Sequence, residues 1–125
     1  MIIELKPYSN KPLYEQLILE IKRGIITGEL QSGESLPSVR SLAADIGINM
    51  HTVNKVYKQL QQENILCKEK NGFVVNPNSK LEQTAESKDL FKQQIFELMI
   101  EKNLYCLTDE DILEMLKTAQ EGLKK

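Results

Sequence analysis

The sequence predicts a mainly α fold with one small β-hairpin, and two observations predict it. Apolar residues recur three and four apart through most of the chain, with glycines, prolines and capping residues at the ends of those stretches. A single Asn-Gly pair, Asn71-Gly72, separates two short β-prone runs.

Residues 1–11 read as an extended arm ending in Ser9-Asn10-Lys11. Pro12 suits a first helical turn, where its missing N–H is not needed. Leu13, Leu17, Ile21 and Ile25 then fall four apart, with Tyr14 and Ile18 beside them, which gives a helix over 12–27 one wide apolar face. Gly28 is a natural stop. Residues 28–37 are dense in turn formers and read as a loop. A second helix is expected over 38–46, with Val39, Leu42, Ala43 and Ile46 on its core side and Gly47 ending it. Ile48 leaves a very short connection to Asn49, a good N-cap for a third helix over 50–64. Val53, Val56, Tyr57 and Leu60 share one face of that helix. His51, Asn54, Lys55 and Lys58 fall on the opposite face, which is polar and partly cationic. Residues 65–69 and 73–76 read as strands around a Lys70-Asn71-Gly72 turn, because Asn-Gly tolerates positive φ.

Pro77, Asn78 and Ser79 break the pattern and mark a linker over 77–82. A fourth helix is expected over 83–102, striped by Leu90, Phe91, Ile95, Leu98 and Met99. Thr108, with Asp111 three positions on, resembles a capping box that opens a fifth helix over 109–122. Ile112, Met115, Leu116 and Ala119 mark its apolar side. Two helices bury little surface on their own. The apolar residues Leu90, Phe91, Ile95, Leu98, Met99, Ile112, Met115 and Leu116 are therefore expected to pack against a second copy of the chain, with the two-fold symmetry usual for dimers.

At 125 residues and 41% hydrophobic, the chain has room for one small domain and an appendage. No apolar run approaches the ~20 residues of a membrane span. The start, MIIELKPYSN, lacks the marks of a secretory leader, so a cytoplasmic address is expected. Cys67 and Cys106 stand far apart in no ligand spacing, and His51 is the only histidine, so neither a metal site nor a cofactor is expected. A glycine-rich phosphate loop, G-x-S-x-G and H-E-x-x-H are all missing, which argues against an enzyme and leaves no catalytic residue to name. The net charge of −2 hides an asymmetry. Residues 1–80 hold ten of the 16 Lys and Arg against eight of the 18 Asp and Glu; residues 81–125 hold six against ten. The acidic excess lies in the last third, and any basic footprint is local.

Helix, loop, helix, short turn, helix and two-stranded ribbon make a winged helix-turn-helix. The B-DNA major groove, about 12 Å wide, admits one α-helix. Such a helix must be held by its back face while the other face reads bases, and residues 50–64 divide in that way. The expected organisation is an N-terminal arm and winged helix-turn-helix DNA-binding domain over 1–76, a linker over 77–82 and a two-helix dimerisation tail over 83–125.

The motifs Leu36-Pro37-Ser38-Val39-Arg40-Ser41-Leu42-Ala43, Ile46-Gly47-Ile48-Asn49 and Thr52-Val53-Asn54-Lys55-Val56-Tyr57 resemble the GntR family of bacterial transcription regulators. Pro12-Leu13-Tyr14-Glu15-Gln16, Gly28-Glu29-Leu30 and Gly33-Glu34 match as well. The resemblance covers about residues 11–75, and the short helical tail is similar to the YtrA-type subfamily, which implies dimerisation without a large effector domain. It implies DNA contacts from Ser38 and Arg40 at the start of helix two. It implies further contacts from Asn49, Met50, His51, Thr52 and Asn54 on helix three, and from Lys70, Asn71 and Gly72 at the wing tip. Lys55 and Lys58 join the expected DNA-facing set because they share one side of helix three with His51 and Asn54. Met50 and Asn54 stand where arginine is frequent in relatives, and Val39 stands where an acidic residue is common.

A sequence-specific transcriptional regulator is therefore expected: a repressor that binds double-stranded operator DNA as a homodimer, with no membrane partner. The alternative is a winged-helix module that binds protein through helix three. The tail is too short to enclose a small-molecule pocket of ~300–1,000 Å³. An effector of unknown identity would have to sit at the dimer interface or between tail and winged helix.

Overall fold

Local hydrogen bonds set the ends of several helices. The computed structural model describes residues 3–77 and 85–124. Its helices are α1 (Leu13–Thr27), α2 (Val39–Ile46), α3 (Met50–Gln62), α4 (Ala85–Leu104) and α5 (Asp109–Gly122). The strands are β1 (Leu66–Glu69) and β2 (Gly72–Val75). The rest of the linker expected after Pro77, and residues 83 and 84 of the expected fourth helix, lie outside the described residues. The described residues form two compact units, one within 3–77 and one within 85–124.

Several boundaries differ from expectation by one or two residues. Pro12 is the N-cap of α1, with ψ of 150°, and does not lie within its first turn. Ser38 caps α2 from outside, its hydroxyl accepting from the Ser41 N–H at 3.0 Å. Helix α3 ends at Gln62, short of Asn64, because Asn64 adopts φ of 63°. There the Asn64 N–H bonds to the Gln61 carbonyl and the Ile65 N–H to the Leu60 carbonyl, closing the helix with a Schellman motif. The same pattern ends α4 two residues later than expected. Cys106, at φ of 59°, turns the chain, and the Leu107 N–H returns to the Lys102 carbonyl at 3.0 Å. No glycine advertises that stop.

The first unit has one core. Leu17 and Ile21 from α1, Leu42 and Ala43 from α2, and Val53, Val56, Tyr57 and Leu60 from α3 meet Leu66, Phe73 and Val75 from the hairpin. Ile18, Ile25, Val39 and Ile46 pack around its edge. Tyr57 is fully buried, and its hydroxyl donates to the Pro37 carbonyl at 2.8 Å. Its ring meets Phe73 edge-on, with centroids 5.2 Å apart. Burial pushes the Tyr57 phenol above its ordinary pKa. On the outside of α1, Lys22 pairs with Glu63 at 3.0 Å, tying α1 to the end of α3.

Two segments expected to be irregular or free are held in place. Residues 33–36, read as loop, run along β2: the Gly33 and Leu36 N–H groups donate to the Val75 and Phe73 carbonyls, and the Val75 N–H donates back to Glu34. Ser35 bridges Val74 antiparallel. Burial of Leu30 and Leu36 draws this segment onto the core. The arm is also no free extension. It turns at Pro7-Tyr8, Ile3 packs on the core, and the Gln16 side chain bonds the Lys6 N–H (2.7 Å), the Lys6 carbonyl (3.0 Å) and the Lys11 carbonyl (2.8 Å).

In the second unit the Thr108 hydroxyl accepts from the Asp111 N–H, and Asp111 accepts from the Thr108 N–H at 2.9 Å, completing the expected capping box. Lys102 pairs with Asp109 at 2.7 Å across the α4–α5 junction. Among the described residues, no helix is long and apolar enough to cross a membrane.

Hydrogen bonds from Thr108 hold the Asp111 carboxyl below its usual pKa of 3.8, and the Lys102 ammonium does the same for Asp109. Lowered folded-state values mean stabilisation that is complete above pH 3.8 and lost as pH falls through them. Asp111→Ala is therefore expected to be less stable than the native chain near neutral pH, with the gap closing as pH drops below 3.8. Urea denaturation at a series of pH values checks this.

Candidate nucleic-acid interface

The reading surface is built by two caps separated by a tight turn. Gly47 ends α2 at φ of 70°, and the Gly47 and Ile48 N–H groups both return to the Ala43 carbonyl. Only Ile48 then separates that turn from Asn49, whose Oδ1 accepts from the His51 N–H at 2.7 Å and starts α3. The short link keeps α3 close to α2, and the fully buried face of Val53, Val56, Tyr57 and Leu60 fixes its rotation. Met50, His51, Lys55 and Lys58 are consequently exposed, with Thr52 and Asn54 half-buried beside them. A shallow groove runs along this face, lined by His51, Asn54, Lys55 and Lys58 together with Tyr14 of α1.

Ser38 and Arg40 are exposed at the start of α2. Val39, standing where an acidic partner for Arg40 would be common, turns to the core instead. Among the described residues Arg40, Lys58 and Lys70 form no ion pair, so their charges are available to a polyanion.

Glu69 pairs with Gly72 across the hairpin, which leaves Lys70 and Asn71 as its exposed tip. Positive φ falls on Gly72, at 142°, and not on Asn71. A Cβ at Gly72 would meet no atom within 4 Å, so its requirement for glycine is conformational and not spatial. Sequence reasoning placed Gly72 in the turn; it is the first residue of β2. It also passed over Lys68, exposed on β1 with its ammonium 4.5 Å from the Phe73 ring centroid. The β1–β2 register, which sets Lys68 opposite Phe73, is the signal that finds it. Tyr14, on the apolar side of α1 as its spacing predicts, packs against the core and, half-buried, also lines the rim of the groove.

Among the described residues no cluster of His, Cys, Asp and Glu could hold a metal ion. Cys67 and Cys106 are free thiols.

Residues 13–75, from the start of α1 to the end of β2, match the family model for bacterial regulatory proteins, gntR family. The chain belongs to the gntR family. It is similar to the HTH-type transcriptional repressor YtrA of Bacillus subtilis, at 32% identity over 124 residues, which cover 98% of this chain and 95% of that relative. A solved structure of a transcriptional antiterminator from Listeria monocytogenes has the same fold, with a TM-score of 0.92 at 22% identity, over 98% of this chain and 92% of that one. The AraR DNA-binding domain, solved in complex with an operator, aligns at a TM-score of 0.51 and 25% identity, over 58% of this chain and 90% of that one. A gntR-family protein is a DNA-binding transcription regulator and not an enzyme, and the fold agrees: five helices with a two-stranded wing after the helix-turn-helix.

The Asn49 cap positions this gntR helix and can be tested without DNA. Asn49→Ala is expected to cost about 1 kcal/mol of stability, and Asn49→Asp much less. Thermal denaturation of the two variants checks this.

Proposed function

We propose that this gntR-family protein is a sequence-specific repressor that binds a two-fold DNA operator as a homodimer in the cytoplasm. The observation that carries this reading is the division of α3. One face is locked into the core by four fully buried side chains, and the other presents His51, Lys55 and Lys58 to solvent. The winged helix-turn-helix is the DNA-binding domain. Arg40 grips a phosphate or takes guanine O6 and N7 bidentately, and Ser38 lies beside it. Asn49, Met50, His51 and Thr52 meet phosphates and base edges at the start of α3, with Asn54, Lys55 and Lys58 following. Lys70, Asn71 and Gly72 carry the wing tip along the minor groove. The AraR domain's operator complex and the repressor role in the YtrA name support the same assignment.

The second unit supplies the dimer contact. In α4 the stripe of Leu90, Phe91, Ile95, Leu98 and Met99 is only part of the apolar surface, because Phe96, Ile100 and Leu104 lie off it and are also exposed. Apolar residues thus surround α4, the pattern of a helix covered on all sides. Phe91 and Ile95 are 62% and 57% exposed in a single chain, and Met115 and Leu116 of α5 are 52% and 59% exposed. A second copy, contributing its own α4 and α5 with Ile112 alongside, would cover these residues.

Two outcomes are expected. The native chain should bind DNA upstream of its own gene more tightly than random DNA of equal length, with affinity falling steeply as salt rises. Arg40→Ala should cost ~1–3 kcal/mol on that DNA if the contact is bidentate. Fluorescence anisotropy at several salt concentrations measures both, and equal affinity for random DNA would sink the reading. Separately, Ile95→Glu should convert a dimer to a monomer in sedimentation equilibrium, while the fold of the winged helix-turn-helix is retained.

A further inference from the structure

From its position on α1, Tyr14 belongs to a helix face made largely of core residues. In the structure it does two things at once. Part of the ring packs against the hydrophobic core, and part lines the groove beside His51, Asn54 and Lys58. The Lys55 ammonium sits 4.9 Å from the ring centroid, within cation–π range. Lysine carries about 2 kcal/mol of rotamer entropy in its stem, so an exposed lysine normally loses affinity when a ligand fixes it. Lys55 is exposed, and among the described residues it forms no ion pair. The ring contact therefore restrains its charged end. Tyr14 is itself well anchored: it lies in the first turn of α1, two residues before Gln16, whose side chain clips the arm.

We infer that Tyr14 is a positioning residue for DNA binding: its ring holds the Lys55 ammonium over the groove, in place to meet a phosphate before DNA arrives. The inference rests on the proposed reading of α3 as the DNA-facing helix. The interaction uses the face of the ring and not the hydroxyl, and that difference makes it testable.

The experiment is a double-mutant cycle on the full-length chain, with DNA from upstream of its own gene as the probe and Arg40→Ala as a control. Tyr14→Leu is expected to weaken binding about two- to fivefold. Tyr14→Phe, which keeps the ring, should restore native affinity. In a Lys55→Ala background, Tyr14→Leu should have no further effect. Thermal denaturation of each variant separates loss of packing from loss of positioning, because a merely structural role would weaken binding equally with and without Lys55. The inference is overturned if Tyr14→Phe loses as much affinity as Tyr14→Leu, which would assign the effect to the hydroxyl. It is also overturned if the Tyr14 effect persists without Lys55, or if Tyr14→Leu binds normally while Arg40→Ala does not. In that last case the DNA reading of α3 stands. A native chain with no preference over random DNA removes that reading, and the inference falls with it.

Discussion

The winged helix-turn-helix is organised around one side chain. Tyr57 is fully buried, bonds the carbonyl that precedes the α2 cap, and meets Phe73 of the wing edge-on. Burial of a side chain of this size is worth roughly 1.5–3 kcal/mol. Its position matters more than that sum. The three parts of the candidate interface, the start of α2, the outer face of α3 and the hairpin, are separate in sequence and share this residue as a common support. A shift of the Tyr57 ring would move all three together.

Around that support, local hydrogen bonds and packing divide the work. Caps decide where helices begin: Ser38 and Asn49 each spend their side chain on the backbone of the helix that follows. Packing then decides which face is left outside. The cationic groups of the candidate interface play little part in holding the fold. Arg40, Lys58 and Lys70 enter no ion pair among the described residues, whereas the ion pairs that join elements, Lys22–Glu63 and Lys102–Asp109, lie elsewhere. The charges on the candidate surface can therefore change with modest effect on folding.

Much of this was legible in the sequence, for identifiable reasons. The period of Val53, Val56, Tyr57 and Leu60 set the rotation of α3, and every one of the four is fully buried. The Thr108–Asp111 box and the Gly28 and Gly47 stops are local chemistry, visible residue by residue. Features that depend on tertiary contact were not visible. The pairing of residues 33–36 with β2 replaces an apparent loop because hydrogen bonds to a distant strand organise it. Likewise, Asn64 and Cys106 take left-handed conformations without the glycine that would announce them. Helical spacing puts Tyr14 on the apolar side of α1, where it packs, but its second contact, with the groove on α3, depends on tertiary structure. The stripe expected on α4 leaves out Phe96 and Ile100, which lie off its face, and Leu104, which lies beyond the end expected at residue 102.

The strand-like segment 33–36 also determines which side of the hairpin is open. With that segment bonded along β2, the ribbon has one unpaired flank among the described residues, and that flank belongs to β1. An open strand flank is a template for edge-to-edge association with other chains. Here it is only four residues long and ends in Lys68 and Glu69, both exposed. Short length and two charges discourage another strand from adding to it. The wing can thus project into solvent without polymerising through its own backbone, and its tip stays free for a different kind of contact.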